Sequence, residues 1–98
     1  MRDHFIKALT NCAEKNKSII LLTADLGFGV LNGYSEKFPS QYINVGVAEQ
    51  NMTGIASGLG IDGKTVFTYS IGNFNTLRCL EQIRNDACYH DANVNVVS

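Results

Sequence analysis

Short apolar segments alternate with segments of helical periodicity along the whole chain. Four runs rich in aliphatic and β-branched residues have the length of strands: 19–22, 42–45, 65–69 and 94–97. Between these runs apolar residues recur every three or four positions, which predicts amphipathic helices. The predicted helices run from an Asp3 N-cap to Asn16, over 31–38 before Pro39, over 49–59, and over 77–87.

This alternation predicts an α/β fold, with a parallel sheet of about four strands and helices on both faces. Residues 1–98 then form one domain. A parallel sheet that stops at its fourth strand leaves backbone groups and apolar side chains uncovered. We therefore expect this domain to be truncated, as part of a larger fold, or to depend on a partner chain.

Composition narrows the classes of function. A hydrophobic fraction of 45% with 17% charged residues is typical of a globular domain. The net charge of −1 argues against nucleic acid or an acidic membrane as a partner. The three cysteines lack the close pairs of a zinc site, and Cys12 and Cys79 are predicted to be small buried hydrophobes. We expect a reduced, cytoplasmic setting.

Glu49 is the residue most suggestive of chemistry. It lies where a short apolar strand gives way to a helix rich in small residues, at the edge of a parallel sheet where ligands usually bind. The first turn of a helix favours its anion, whereas burial favours the neutral acid, and the sequence does not rank the two effects. A plain structural role, as a helix-start acid that only caps the helix and complements its dipole, is the alternative.

The segments around Glu49 carry a family resemblance. Residues 47–52 read VAEQNM and residues 54–60 read GIASGLG. Together with TADLG at 23–27, YSIGNF at 69–74 and RCLEQIR at 78–84, they resemble the pyrimidine-binding domain of the transketolase family. The likeness is to the N-terminal part of the C-terminal subunit of two-subunit transketolases. This family depends on thiamine diphosphate.

The resemblance implies a catalytic role for Glu49. The family glutamate at this position hydrogen-bonds the ring nitrogen N1′ of the cofactor's aminopyrimidine. Sharing that proton favours the imino tautomer, so that the protein supplies a tuned acid while the cofactor carries the carbon chemistry. The small residues behind Glu49, Gly54 and Gly58 among them, form a smooth helix face that the family places near a subunit contact.

The resemblance also implies cofactor-binding residues, each with a structural alternative. Phe74 is predicted to pack on the aminopyrimidine ring, or else to be a core residue at the sheet edge. Asp25 and Leu26 match a loop that reaches the cofactor, but an Asx-type turn with a core leucine explains them nearly as well. Tyr69 and Ile71 are candidates for the pocket wall, with core packing as the favoured alternative.

Several parts of such an enzyme are expected on another chain. The Gly-Asp-Gly start of the diphosphate-binding half is absent, since Asp62-Gly63 lacks the leading glycine and is predicted to be a turn. We therefore assign no metal ligand here and expect Mg²⁺ on a diphosphate-binding transketolase subunit or domain. The chain alone should not turn over sugar. Arg78 and Arg84 could reach phosphate, although a solvated helix face is the commoner fate of such residues.

The implied reaction is transfer of a two-carbon ketol unit between sugar phosphates, within a homo- or hetero-oligomer. One alternative is a related enzyme, such as deoxyxylulose-phosphate synthase or the β subunit of a 2-oxoacid dehydrogenase. The other is a non-catalytic oligomerising module of the same fold. Which sugars serve as donor and acceptor does not follow from the sequence.

Overall fold

A computed structural model describes all residues from 1 to 98. The strands are β1 (Ile19–Thr23), β2 (Tyr42–Asn44), β3 (Thr65–Tyr69) and β4 (Val94–Val97). They form one sheet in the order β2-β1-β3-β4, and every neighbouring pair is parallel. The predicted α/β class and four-stranded parallel sheet are confirmed.

Three regular helices cover the two faces of this sheet. They are α1 (Arg2–Lys15), α2 (Asn32–Lys37) and α3 (Glu49–Ile61). One core joins α1 and α2 to the sheet through residues that include Leu9, Leu21 and Tyr34. The other core lies under α3 and includes Leu22 and Met52. Because β1 is covered on both faces, all five of its residues are buried, as its unbroken apolar run predicts.

The strand order creates a switch point between β1 and β3. The chain leaves β1 for β2 on one side and then returns, over α3, to place β3 on the other side of β1. Thr23 and Tyr69, the last residues of β1 and β3, are register partners, so both strands end at the same level. The carboxyl edge at such a switch point is where open α/β sheets bind ligands.

Two details of the first helix differ from the prediction. Asp3 lies within the first turn of α1, and the N-cap position belongs to Met1, without a side-chain cap. Cys12 is exposed, because α1 faces the sheet along the line of Leu9 and Ala13, and Cys12 lies beside that line. Cys79 is fully buried, as predicted.

The fourth predicted helix is an irregular helical segment, 77–88. It consists of a 3₁₀ turn (Leu77–Cys79), a single α-helical turn (Leu80–Gln82) and a π-helical stretch (Ile83–Cys88). The wide turns at its end are visible in the bond from the Tyr89 N–H to the carbonyl of Arg84, five residues back. Leu77 and Leu80 are exposed, although both matched the apolar face of a regular helix.

Candidate functional site

Glu49 is held at the carboxyl edge of the sheet by the short connection between β2 and α3. Gly46 turns this connection with a φ of 77°, a conformation that glycine adopts without steric cost. The Asn44 side-chain oxygen accepts hydrogen bonds from the N–H groups of Gly46 (3.0 Å) and Asp25 (2.9 Å). Asn44 thereby ties together the loops that follow β1 and β2, and α3 begins at Glu49 directly after this junction.

The Glu49 carboxylate is buried, with 7% of its side chain exposed. It does not cap α3, since no side-chain cap hydrogen bond is present at this helix start. Its partner is Arg78, whose Nη1 lies 3.4 Å from Glu49 Oε1. A buried carboxylate needs such a partner, and the positive end of the α3 dipole also favours its negative charge. The side chain therefore does not cap α3, although its charge still complements the helix dipole.

Arg78 also covers an aromatic ring. Its guanidinium carbon Cζ lies 4.1 Å from the centroid of Phe74, which is cation–π geometry. The side-chain amide of Gln50 donates to the backbone carbonyl of Arg78 at 3.1 Å. Two consecutive residues at the start of α3 therefore hold Arg78, one by its side chain and the other by its backbone.

An open cleft of about 470 Å³ borders this group. Arg78 forms one wall, and the loop and first turn of α3 form the other: Val47, Ala48, Glu49, Gln50 and Asn51. The Glu49 carboxylate lines this cleft, and the Phe74 ring lies behind the Arg78 guanidinium at the same end of the sheet. This pair suits a flat, nitrogen-containing ring, which the carboxylate can hydrogen-bond and the aromatic ring can stack against.

Asp25 and Leu26 line a different cleft, of about 280 Å³, beside β2. Asp25 has a φ of 57°, and its carboxylate accepts a long bond, 3.4 Å, from the Asn44 side chain. Tyr42 lines the same cleft. Burial raises the pKa of the Tyr42 hydroxyl, and the negative charge of Asp25 raises it further.

Tyr69 and Ile71 line a third cleft, next to α1. The Tyr69 ring stacks on Phe5, with centroids 6.2 Å apart and the planes 6° from parallel. Tyr69 therefore packs on the α1 side of the sheet, whereas Glu49 belongs to α3 on the other side. The structure brings Glu49 and Phe74 together through Arg78, and it places the other four predicted site residues in two separate clefts of the same edge.

Three residues of this edge have roles that the sequence did not indicate. Asn44 joins two loops, Gln50 holds the backbone of Arg78, and Asn75 bridges β3 and β4 through bonds to the carbonyls of Thr68 and Val97. Asn44 is a polar residue at the carboxyl end of β2, and that position is a signal in the sequence, whereas Asn75 lies six residues beyond the end of β3 and carries no such signal. The sequence favours a solvated helix face for Arg78, but its side chain is paired with Glu49 and only half exposed.

Comparison with known proteins gives a match over the whole chain. The family model described as the transketolase pyrimidine-binding domain matches residues 1–98. The chain belongs to this family. The predicted relationship is thereby confirmed, and membership of the family implies dependence on thiamine diphosphate.

Two relatives of the pyrimidine-binding domain are similar over most of its length. A 6-deoxy-6-sulfo-D-fructose transketolase subunit from Clostridium sp. (strain MSTE9) is 37% identical over 98 residues, which cover 99% of this chain and 30% of the relative. A 1-deoxy-D-xylulose-5-phosphate synthase from Alkaliphilus oremlandii (strain OhILAs) is 33% identical over 86 residues, which cover 87% of this chain and 14% of the relative.

A solved structure shows the same fold. The structure, described as a split-gene transketolase in an inactive beta4 tetramer, superposes with a TM-score of 0.87 and 36% identity. The match covers 97% of this chain and 32% of that protein. The pyrimidine-binding domain thus spans about a third or less of the length of these relatives.

The residues around Glu49 fit the aminopyrimidine part of the family's cofactor. The donor and acceptor chemistry is suitable, since a buried carboxylate faces a cleft beside an aromatic ring. No group of three or more His, Cys, Asp or Glu side chains that could hold a metal ion occurs in residues 1–98. None of the helices is long and apolar enough to cross a membrane.

Proposed function

We propose that this chain supplies the pyrimidine half-site of a thiamine-diphosphate-dependent enzyme that transfers a two-carbon ketol unit between sugar phosphates. The observation that carries the proposal is the buried Glu49 carboxylate at the start of α3, beside the Phe74 ring and an open cleft. The relatives named as transketolase subunits support it. A partner chain or domain would hold the diphosphate and Mg²⁺.

Glu49 has the chemical role in this proposal. When bound, thiamine diphosphate would supply the carbon–carbon bond cleavage and formation. Glu49 would hold a proton at the N1′ position of the aminopyrimidine, from a site that burial shields from water and that the rigid junction after β2 fixes in place. Phe74 would pack on the ring and fix its plane.

The other predicted cofactor residues would act from the neighbouring clefts. Asp25 and Leu26 lie on the loop that Asn44 ties to the start of the Glu49 segment, so they would border the cofactor once a partner chain closes the edge. Tyr69 and Ile71 would form the wall beside α1. In the chain by itself, Tyr69 contributes to packing through its stack on Phe5.

Two alternative functions remain supported by specific observations. The similarity to a deoxyxylulose-phosphate synthase over 87% of the chain favours a related synthase. The inactive tetramer described for the structural relative favours a module that assembles without catalysing a reaction. In both cases the fold and the α3 surface would be retained.

The test is substitution of Glu49 in an assembled complex. The chain is mixed with a diphosphate-binding transketolase subunit, thiamine diphosphate and Mg²⁺, and ketol transfer between sugar phosphates is measured. Glu49→Gln keeps the size of the side chain but removes its acid, so activity is expected to fall by about 10²–10⁴-fold, the range of general acid–base catalysis.

Glu36→Gln is the matched control, because Glu36 is an exposed residue of α2 outside the site. It should retain wild-type activity, and size-exclusion chromatography should show that both variants assemble. Wild-type complexes that assemble but transfer no ketol unit would reject the transketolase proposal. Formation of deoxyxylulose phosphate in a parallel assay would support the synthase, and activity in neither assay would support the non-catalytic module.

A further inference from the structure

We propose that Arg78 is an internal competitor of the cofactor's aminopyrimidine, and that it closes the pyrimidine half-site until a ligand displaces it. This inference rests on the proposed function of Glu49 and Phe74. It concerns a residue that the reaction itself does not need in contact with the reacting atoms. The Arg78 guanidinium contacts both groups to which the ring would bind, the Glu49 carboxylate and the Phe74 ring.

The contacts of Arg78 match those expected of the ring. The planar guanidinium donates to Glu49 Oε1 at 3.4 Å and lies over Phe74 at 4.1 Å from the ring centroid. An aminopyrimidine would use the same carboxylate as its hydrogen-bond partner and the same aromatic side chain as its stacking surface. Arginine suits this imitation because its charged group is flat, stacks on aromatic faces and donates from its edge.

The burial of Glu49 explains why another group has to pair with its carboxylate in the free chain. Only 7% of the Glu49 side chain is exposed, and a carboxylate at that depth is costly without a partner. Arg78 supplies the partner in the free chain. Its own side chain is 48% exposed, so it can return to water when a ligand takes its place.

Hydrogen bonds hold the backbone of Arg78, whereas its half-exposed side chain is held only by the Glu49 ion pair and the Phe74 contact. Gln50 fixes the Arg78 carbonyl at 3.1 Å, and the N–H of Cys79 bonds to the carbonyl of Thr76 in the same turn. Release therefore requires only a rotation of the Arg78 side chain. The segment 77–88 can stay in place.

The consequence is a measurable weakening of ligand binding in the wild-type chain. A half-exposed ion pair with a cation–π contact is a modest interaction, so the closed form would hold about 80–90% of the population. The apparent dissociation constant rises by the inverse of the open fraction, which gives about fivefold to tenfold. Removing the guanidinium should lower the apparent dissociation constant by the same factor.

The experiment compares Arg78→Met with Arg84→Met. Arg84 is also exposed on the segment 77–88, but it takes part in none of the ion pairs of the chain. Calorimetry measures binding of the neutral hydroxymethyl aminopyrimidine to the full chain. It also measures binding of thiamine diphosphate with Mg²⁺ to the complex with a diphosphate-binding subunit. Arg78→Met should bind about fivefold to tenfold more tightly than wild type, and Arg84→Met should equal wild type.

Ionic strength gives a second readout. Salt screens the Arg78–Glu49 pair, so the wild-type chain should bind the neutral aminopyrimidine more tightly as salt rises. Arg78→Met should show no such gain. Arg78→Lys keeps the charge but not the flat stacking surface. Its salt-induced gain in affinity should therefore lie between that of wild type and that of Arg78→Met. If Arg78→Met does not fold because Glu49 is left unpaired, Arg78→Lys still allows the comparison with wild type.

The outcomes separate this inference from the proposed function. Equal affinities for Arg78→Met and for the double variant Arg78→Met with Glu49→Gln would overturn both, because the ligand would then not depend on the carboxylate even without the competing guanidinium. Binding that depends on Glu49 but is unchanged or weaker in Arg78→Met would overturn the competitor alone. Tighter binding in Arg78→Met, together with loss of the salt-induced gain, would establish it.

Discussion

At the scale of residues, the role of Glu49 depends on the side chains that contact it. Glu49 begins a helix, where an acid usually complements the dipole, yet its contact is with Arg78 from a segment 29 positions away in the chain. Arg78 in turn is bound by the residue next to Glu49. A small group of side chains thus determines whether the cleft presents a free carboxylate.

Tyr34 gives a prediction about pH at this scale. Its ring is buried, its hydroxyl donates to the Gln41 carbonyl at 3.4 Å, and burial raises its pKa to about 12. Between about pH 10 and 12 the unfolded state loses this proton first, so the unfolded state binds fewer protons and stability falls as pH rises. Because the pKa is about 12 in the folded state and about 10 in the unfolded state, the loss should reach about 2–3 kcal/mol.

Tyr34→Phe should remove most of this alkaline loss, at a cost of about 1 kcal/mol near neutral pH for the missing hydrogen bond. Urea unfolding across the alkaline range measures both effects. Tyr89→Phe is the control, because Tyr89 is 83% exposed and should leave the pH dependence as it is in the wild type. An unchanged alkaline slope in Tyr34→Phe would contradict the assignment.

At the scale of elements, α3 connects the site to the rest of the fold. Its first turn carries Glu49, its buried face holds Met52 and Ala56 against the sheet, and its end lies against the loop before β4. The glycines of this helix are not equivalent. A Cβ at Gly58 would meet nothing within 4 Å apart from its chain neighbours and the backbone of its own helix, whereas a Cβ at Gly60 would lie 2.9 Å from the backbone nitrogen of Asn93.

These two glycines provide a matched pair of substitutions. Gly60→Ala should destabilise the chain by about 1–3 kcal/mol, because the backbone of the loop before β4 has to move. Gly58→Ala should stabilise it by about 0.5–1 kcal/mol, through the higher helix propensity of alanine. Urea unfolding of both variants tests the difference, and equal effects would mean that α3 and the loop are not in contact.

At the scale of the whole molecule, the carboxyl edge of the sheet is the part that a partner would cover. Large apolar side chains are exposed in the loops of this edge, including Phe28 at 96%, Val47 at 77% and Leu77 at 71%. Such a collection marks an interaction surface. Val47 lines the Glu49 cleft and Leu77 directly precedes Arg78 in the chain, and we propose that the diphosphate-binding chain docks here.

Leu77→Ser should therefore weaken association with a diphosphate-binding subunit by about tenfold or more, since burial of a leucine contributes roughly 1.5–3 kcal/mol. Sedimentation equilibrium measures the dissociation constant. Ile61→Ser is the matched control, because Ile61 is also exposed but ends α3 at the opposite edge of the sheet. If both substitutions weaken the complex equally, or neither does, the partner does not dock at the carboxyl edge.

Much of the fold was predictable from local patterns. The apolar run at β1, the strand at Thr65–Tyr69 and the helix that begins at Glu49 all lie where periodicity predicts them. These elements are predictable because their own side chains decide which surface is buried. The irregular segment 77–88 was not, because its wide π-helical turns depend on how it packs beside α3 and not on its own apolar spacing.

The sequence by itself determined the fold class, the family and the choice of Glu49 as the candidate catalytic residue. Strand periodicity and the motif around Glu49 are local, so they can be read without coordinates. Only the tertiary structure decided that Arg78 pairs with Glu49 over the Phe74 ring, and that Tyr69 packs on the α1 side. These contacts join residues far apart in the chain, and a short-range pattern does not encode the direction in which a side chain points once the elements have packed.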